Sequence, residues 1–494
     1  MRLACAVLVV VASVLAGARP ASASNLPALP STVRVNITGL GLSYAVISST
    51  ATVSAIAPDG TLLYRGSGKA LARTNVRSVA TLGVELPPRE SAGASSRAER
   101  AALFRDARVA LAESGPRAIV TVPFQLSLLQ STDDDLGKVV LQGDRIPGIK
   151  FLTNDGLLMV NGRPFRGTFE LAPDDEGDMI IVNTVSTHDY LASVVGSEEP
   201  STWESEALAS QAIAARTYLY THLGRHKAYD LEGDTRDQAY DGTAKEDART
   251  LRAVERTAGL IATYRGTPIE ALYSANAGGV TEDSENVFAS ALPYLRSVPS
   301  PADEIAKESS WGRTSYEWTK ELSATQLRDF LQRRGLNVGT PTAIELTAVS
   351  PTGRVVGAKI IGTDGTQTIG KDRSRYYFGL MSSLFTVKVL PTGASERVAV
   401  TNSERVGALE ILGARVAQTS FEVIHDENGN ELGLQVTGYV YELPATFVFT
   451  GKGFGHGVGM SQWGAQGMAL KGASYQQILA HYYVGTALTS VGGG

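Results

Sequence analysis

The sequence predicts an α+β fold: a β-rich core with one long groove-lining helix, plus an accessory N-terminal β domain with an inserted helix. Three observations predict it. Alternating runs broken by turn residues dominate 30–68, 118–187 and 342–450. An Ala-rich run from Glu206 to His222 continues without Gly or Pro. Helical spacing also recurs between Arg97 and Ser114, inside the otherwise strand-like N-terminal part.

Composition bounds the function. The 494 residues are several times the roughly 150 residues of a typical domain, so a sizeable core is affordable in length. Hydrophobic residues at 43% and charged residues at 19% exclude a disordered or fibrous chain. A net charge of −5 with no basic stripe argues against nucleic acid as a partner. The single cysteine, Cys5, excludes an intramolecular disulfide and a Cys-rich zinc site.

Residues 1–23 read as a signal peptide. Arg2 gives the positive start, Leu3 to Gly17 the apolar run, and Ala21-Ser22-Ala23 the small-residue cleavage site. The run is shorter than the ~20 residues of a membrane span, so a soluble exported protein is expected, in periplasm, cell wall or medium. Residues 24–150 form the accessory N-terminal domain, 151–487 the catalytic domain, and 488–494 a frayed tail ending in three glycines. Ser201 and Glu204 form a capping box opening the long helix. A shorter helix is expected from Ser323 to Gly335, and a last one from Ser474 to Tyr483.

Two segments carry chemistry. The apolar run Tyr190 to Val195 reads as strand-like and ends in Glu198-Glu199-Pro200. Glu199 precedes proline and is biased to extended backbone, so one carboxyl can face a cleft and the other solvent. A partly buried carboxyl there has its pKa raised and suits proton donation. The same pair also fits two acids placed by a helix dipole. The second segment, Gly451 to Gly464, alternates glycines without the spacing of a dinucleotide loop or P-loop. It reads either as a rigid lip, with His456, Ser461 and Gln462 as hydrogen-bonders for a polyhydroxylated ligand, or as a structural glycine turn. Asp426 to Asn430 resembles half a calcium loop, but Glu431 stands where that loop needs Gly, so a hairpin turn is expected.

Together the segments resemble the stage II sporulation protein D (SpoIID/LytB domain) family, of lytic transglycosylase or amidase-enhancer type. Tyr190 to Tyr218 is similar to its first motif, and Gly453 to Gly485 to its glycine-rich last motif. Tyr273 to Gly279, with Thr281, Glu282 and Pro293 to Leu295, resembles the middle motif. Arg375 with Phe378-Gly379-Leu380 resembles a fourth. The resemblance spans roughly 150–487.

The resemblance implies a lytic transglycosylase acting on peptidoglycan glycan strands. Such enzymes cleave between N-acetylmuramic acid and N-acetylglucosamine and leave 1,6-anhydro ends. One carboxyl serves as acid and then base, and the family's catalytic Glu falls on Glu198; Glu199 occupies the family's Met position. Substrate-binding positions carry over to Glu206, Gln211 and Arg216 on the helix, to Ser274 and Asn276, and to Gly455, His456, Gly457, Ser461, Gln462 and Trp463. The alternative implied is a non-catalytic peptidoglycan-binding partner that enhances a cell-wall amidase. Three departures stand out. Ala209 replaces a usual Lys, and Trp463 replaces Tyr while keeping a sugar-stacking face. Some members carry a His/Cys/Cys zinc site where this chain has His226, Glu232 and Asp237, so no metal and no cofactor are expected.

Overall fold

The computed structural model describes residues 26–39, 44–66, 69–74, 124–129, 139–143, 148–154, 156–173, 179–390, 396–399, 415–442 and 445–492. The fold is α+β. The expected signal peptide and the helix expected from Arg97 to Ser114 lie outside the described residues.

A seven-stranded sheet organises the first half. Its order is Leu231–Glu232, Thr32–Asn36, Met179–Ser186, Thr168–Pro173, Ile149–Leu152, Val53–Ile56 and Leu62–Gly66. Thr32–Asn36 runs antiparallel to Met179–Ser186, with Thr32 opposite Ser186, and parallel to Leu231–Glu232. Strands from either side of residue 150 are therefore hydrogen-bonded neighbours in one sheet. They also share one core, in which Val33 and Val35 are grouped with Tyr190, Leu208 and Ile213.

Met179–Ser186 leads directly into the helix Thr187–Glu198. The strand-like reading of Tyr190 to Val195 is corrected here. All six of those residues are buried, so neither face shows a polar period, and a short apolar run cannot distinguish strand from helix. The local signal is the N-cap: the Ser186 side chain accepts the Asp189 N–H at 3.0 Å.

The long helix covers Ser205–His222. It starts later than the expected capping box because Ser201 lies in a turn closed by the Trp203 N–H on the Pro200 carbonyl, 3.0 Å. Glu204 is the N-cap residue and makes no side-chain cap; its own N–H is taken by the Gln466 side chain at 2.8 Å. A tertiary partner thus replaces the local one. From Ala207 to Leu219 every residue is buried, which the small side chains allow by letting neighbours approach on all sides. Those neighbours are the helices Thr187–Glu198, Ala248–Arg256, Gln462–Leu470 and Tyr475–Tyr482.

A second core gathers Trp318, Leu327, Phe378, Phe447 and Phe449. It lies between the sheet Glu317–Ser323, Thr446–Lys452 and Phe385–Leu390, the sheet Pro341–Val349, Val355–Gly362 and Gly365–Gly370, and the helix Ala324–Gln332. Ser323 and Gln326 form its capping box, and Ser474 with Gln477 caps the last helix, Tyr475–Tyr482. Asp426 to Asn430 does form the turn of a long hairpin, Arg415–His425 with Glu431–Glu442; the Asp426 carboxylate accepts the N–H groups of Asn428 and Asn430. The tail expected to fray from 488 is instead a strand, Ala487–Ser490, paired with Leu260–Thr263.

Candidate active site

Glu198 is the last residue of the helix Thr187–Glu198, and it is half-buried. Its Oε1 accepts the Ala239 N–H at 2.8 Å and its Oε2 accepts the Gln462 amide at 3.2 Å. Burial pushes its carboxyl above the usual range, while the hydrogen bonds from Ala239, Gln462 and the Tyr273 hydroxyl pull the other way. Its position at a helix C-terminus, the negative end of the dipole, also favours the protonated form.

The donors have their own supports. Gln462 opens the helix Gln462–Leu470, whose N-cap Ser461 accepts the Gly464 N–H. Ser461 also donates to Asp303 at 2.5 Å and accepts the Ala277 N–H. Ala239 follows Gln238, a fully buried residue that accepts from Tyr190 at 3.0 Å and donates to Tyr273 at 2.9 Å. A chain of polar side chains thus runs behind the acid. Tyr273, Gln238 and Tyr190 were not singled out as site residues, and only the contacts between distant segments reveal their role.

Glu199 does not face solvent, contrary to the expectation for an alternating pair. Its backbone is extended, as a residue before proline should be, but the residue is 1% exposed and neither carboxyl oxygen has a hydrogen-bond partner among the described residues. Burial, with Glu198 adding like-charge repulsion, pushes its carboxyl well above the usual range. A carboxyl so placed favours its neutral form.

The other expected substrate-binding residues divide. On the long helix, Glu206 is bound by Arg256 at 2.8 Å and by the Tyr475 N–H at 2.8 Å, tying three helices together. Arg216 donates to the carbonyls of Val254, Thr257 and Leu260 at the end of the helix Ala248–Arg256. Gln211 is fully buried and its amide has no partner. None of the three joins Glu198 through a hydrogen bond. Asn276 braces its own turn, accepting the Gly278 N–H and donating to the Asp303 carbonyl. Ser274 accepts the Gly457 N–H at 3.3 Å.

The glycine segment packs closely on protein. Gly455, at φ 105°, would place a Cβ 2.7 Å from that of Ser274, and Gly457, at φ 73°, would place one 2.1 Å from the buried Arg354 guanidinium. The half-buried His456 accepts the Val458 N–H at Nδ1, 3.0 Å, which assigns its proton to Nε2. Burial, with Arg375 and Arg354 nearby, brings its pKa down to about 3, so the ring is neutral. Trp463 is 5% exposed and covered by Trp203 and Trp311, with ring centroids 4.7 and 4.8 Å away. The exposed ring is Trp311, at 59%.

The residues at the zinc positions are engaged elsewhere. His226 stacks on Tyr229; Glu232 accepts from Tyr229 and Arg236; Asp237 accepts the Tyr218 hydroxyl and the Glu232 N–H. Among the described residues no group of three His, Cys, Asp or Glu is placed to hold a metal. Among them, too, no helix is long and apolar enough to cross a membrane.

What these elements define is an α+β protein with one shielded carboxyl at a helix end, held by a main-chain and an amide donor beside a glycine-rich segment. Residues 175–264, which contain Glu198 and the long helix, match the family described as stage II sporulation protein; residues 293–408 match a domain of unknown function. The stage II sporulation protein D of Bacillus subtilis is 30% identical over 326 residues, covering 62% of this chain and 76% of that one. An uncharacterised protein of Brachyspira hyodysenteriae is 30% identical over 341 residues, 68% of this chain and 75% of that one. The amidase enhancer of Bacillus subtilis is 27% identical over 319 residues, but only 40% of its length is covered. The chain belongs to the stage II sporulation protein D family.

Proposed function

We propose that this protein is an exported lytic transglycosylase of peptidoglycan, with Glu198 as its single acid and base. The observation that carries the reading is the state of Glu198: half-buried, biased to the protonated form, and held by Ala239 and Gln462. Protonated Glu198 gives its proton to the glycosidic oxygen as the bond from C1 of N-acetylmuramic acid breaks. The carboxylate left behind takes the proton of that sugar's 6-hydroxyl as the oxygen closes on C1, giving a 1,6-anhydro end and regenerating the acid. A hydrolase would normally use a second carboxylate. Glu199, the adjacent one, is buried and biased to its neutral form, which supports the one-carboxyl route. Export is supported by the sequence pattern of residues 1–23.

A second reading is a non-catalytic partner that enhances a cell-wall amidase. It is favoured by the similarity to the amidase enhancer, and by the internal engagement of Glu206 and Arg216. Mass spectrometry of glycan strands, with and without stem peptides, separates the two. Anhydro ends are expected after incubation with the mature protein. Reducing ends would replace the mechanism by hydrolysis. Unchanged strands, with a separate amidase accelerated, would favour the enhancer.

A further inference from the structure

Three of the four tryptophans meet in one cluster, and Trp463 directly follows Gln462, the residue bonded to Glu198. Trp203 precedes the long helix, Trp463 follows Gln462, and Trp311 lies in the loop before the short helix Arg313–Tyr316. Trp203 and Trp311 are nearly parallel, at 20° and 6.5 Å, and both lean on Trp463. They wall a cavity of about 250 Å³ that also includes Pro200, two residues after Glu198. That is below the roughly 300–1,000 Å³ of drug-sized sites and suits one small ring.

Several features mark this as a binding surface and not as leftover core. Trp311 is 59% exposed, and its ring leans on those of Trp203 and Trp463. The next residue, Gly312, packs so tightly on Trp463 that a Cβ there would lie 2.3 Å from the indole. The backbone that carries the Trp311 ring is therefore packed against Trp463. The fourth tryptophan, Trp318, donates its N–H to the Gly453 carbonyl at 2.9 Å. None of the other three indole N–H groups has a protein acceptor among the described residues, and those of Trp203 and Trp463 are not sealed from solvent. Glu308 and Ser309 add acceptors at the rim.

A pyranose offers what this cavity lacks: a flat face of C–H groups for an aromatic wall, and hydroxyl and acetamido groups for unused N–H donors and a carboxylate. We infer that the Trp203–Trp311–Trp463 cavity is a glycan subsite that holds one N-acetylhexosamine unit, stacked on Trp311, of the strand presented to Glu198. This rests on the proposed glycan-cleaving function and names where the strand is gripped.

The test uses Glu198→Gln, which should not turn over, titrated calorimetrically with purified stem-peptide-free glycan strands. Adding Trp311→Ala should weaken binding about fivefold or more, whereas Trp311→Phe, which keeps an aromatic face, should stay close to the parent. Trp311→Leu, which keeps bulk against Trp463, should behave like the alanine variant, so lost packing is told apart from lost stacking. Unchanged affinity in both Trp311→Ala and Trp311→Leu would overturn the subsite, as would a free stem peptide that binds in a Trp311-dependent way. If Glu198→Gln binds no glycan at all, the proposed function and the subsite both fall. If it binds and still cleaves, only the role of Glu198 falls.

Discussion

The Gln462 side-chain amide donates to Glu198 Oε2 at 3.2 Å, although the two residues are 264 positions apart in the chain. One ends the buried helix Thr187–Glu198; the other begins the helix that follows the glycine-rich segment. The bond joins the two stretches in which the chemistry was expected, and it acts on the protonation of the acid.

Replacing Glu198 with Gln keeps the shape and the capacity to meet Ala239, but removes the proton. Glycan cleavage should fall roughly 10²–10⁴-fold, the usual worth of a general acid or base, while the far-ultraviolet circular dichroism spectrum is unchanged. In the unmodified protein the protonated form starts the reaction, so kcat/KM should decline as pH rises through the elevated pKa of Glu198. Cleavage at the parental rate by Glu198→Gln would remove this residue from the chemistry.

Gln462→Met removes a donor that favours the carboxylate form. The pKa of Glu198 should rise, and the alkaline limb of the pH–rate profile should move to higher pH. A profile that keeps its limb and only loses height would show that Gln462 positions the acid without tuning it.

Glu199→Met should stabilise the protein above neutral pH. The folded state holds the Glu199 proton where the unfolded chain has released it, because burial raises the folded pKa. Stability from this group is complete below the unfolded carboxyl pKa and is lost as pH rises through the folded value. Glu198 has the same sign and interacts with Glu199, so the difference between their melting curves reports Glu199 together with its coupling to Glu198. Removing an unpartnered buried carboxyl should be worth on the order of 1–3 kcal/mol. Equal melting temperatures from pH 4 to 9 would contradict the neutral, buried carboxyl.

Arg216→Ala should destabilise the fold by about 3 kcal/mol or more, because three carbonyls at the end of the helix Ala248–Arg256 lose a buried donor together. Denaturant unfolding checks this. A stable Arg216→Ala protein with weakened glycan affinity would return Arg216 to the substrate groove.

Parts of this were legible in the chain. Ser323 and Ser474 announce their helices because capping is local: the side chain bonds a backbone N–H three residues on. The hairpin at Asp426 is local in the same way. Glu198 was legible from the pattern around it. The internal partners of Glu206 and Arg216 and the burial of Gln211 were not legible, because a polar residue on a helix shows no face until its neighbours are known. Here Arg256, Tyr475 and the carbonyls of 254–260 take Glu206 and Arg216, and Gln211 is enclosed in the core.

By itself the sequence determined the α+β class, the family and the caps at Ser323 and Ser474, since each depends on composition or on residues a few positions apart. Tertiary structure alone decided that Glu199 is buried beside its neighbour, that Gln238 and Tyr273 stand behind the acid, and that Trp311 and not Trp463 offers the open ring. Burial and pairing are set by segments that meet across scores or hundreds of residues, and no local pattern encodes which of two adjacent carboxyls, or which of three indoles, is left facing water.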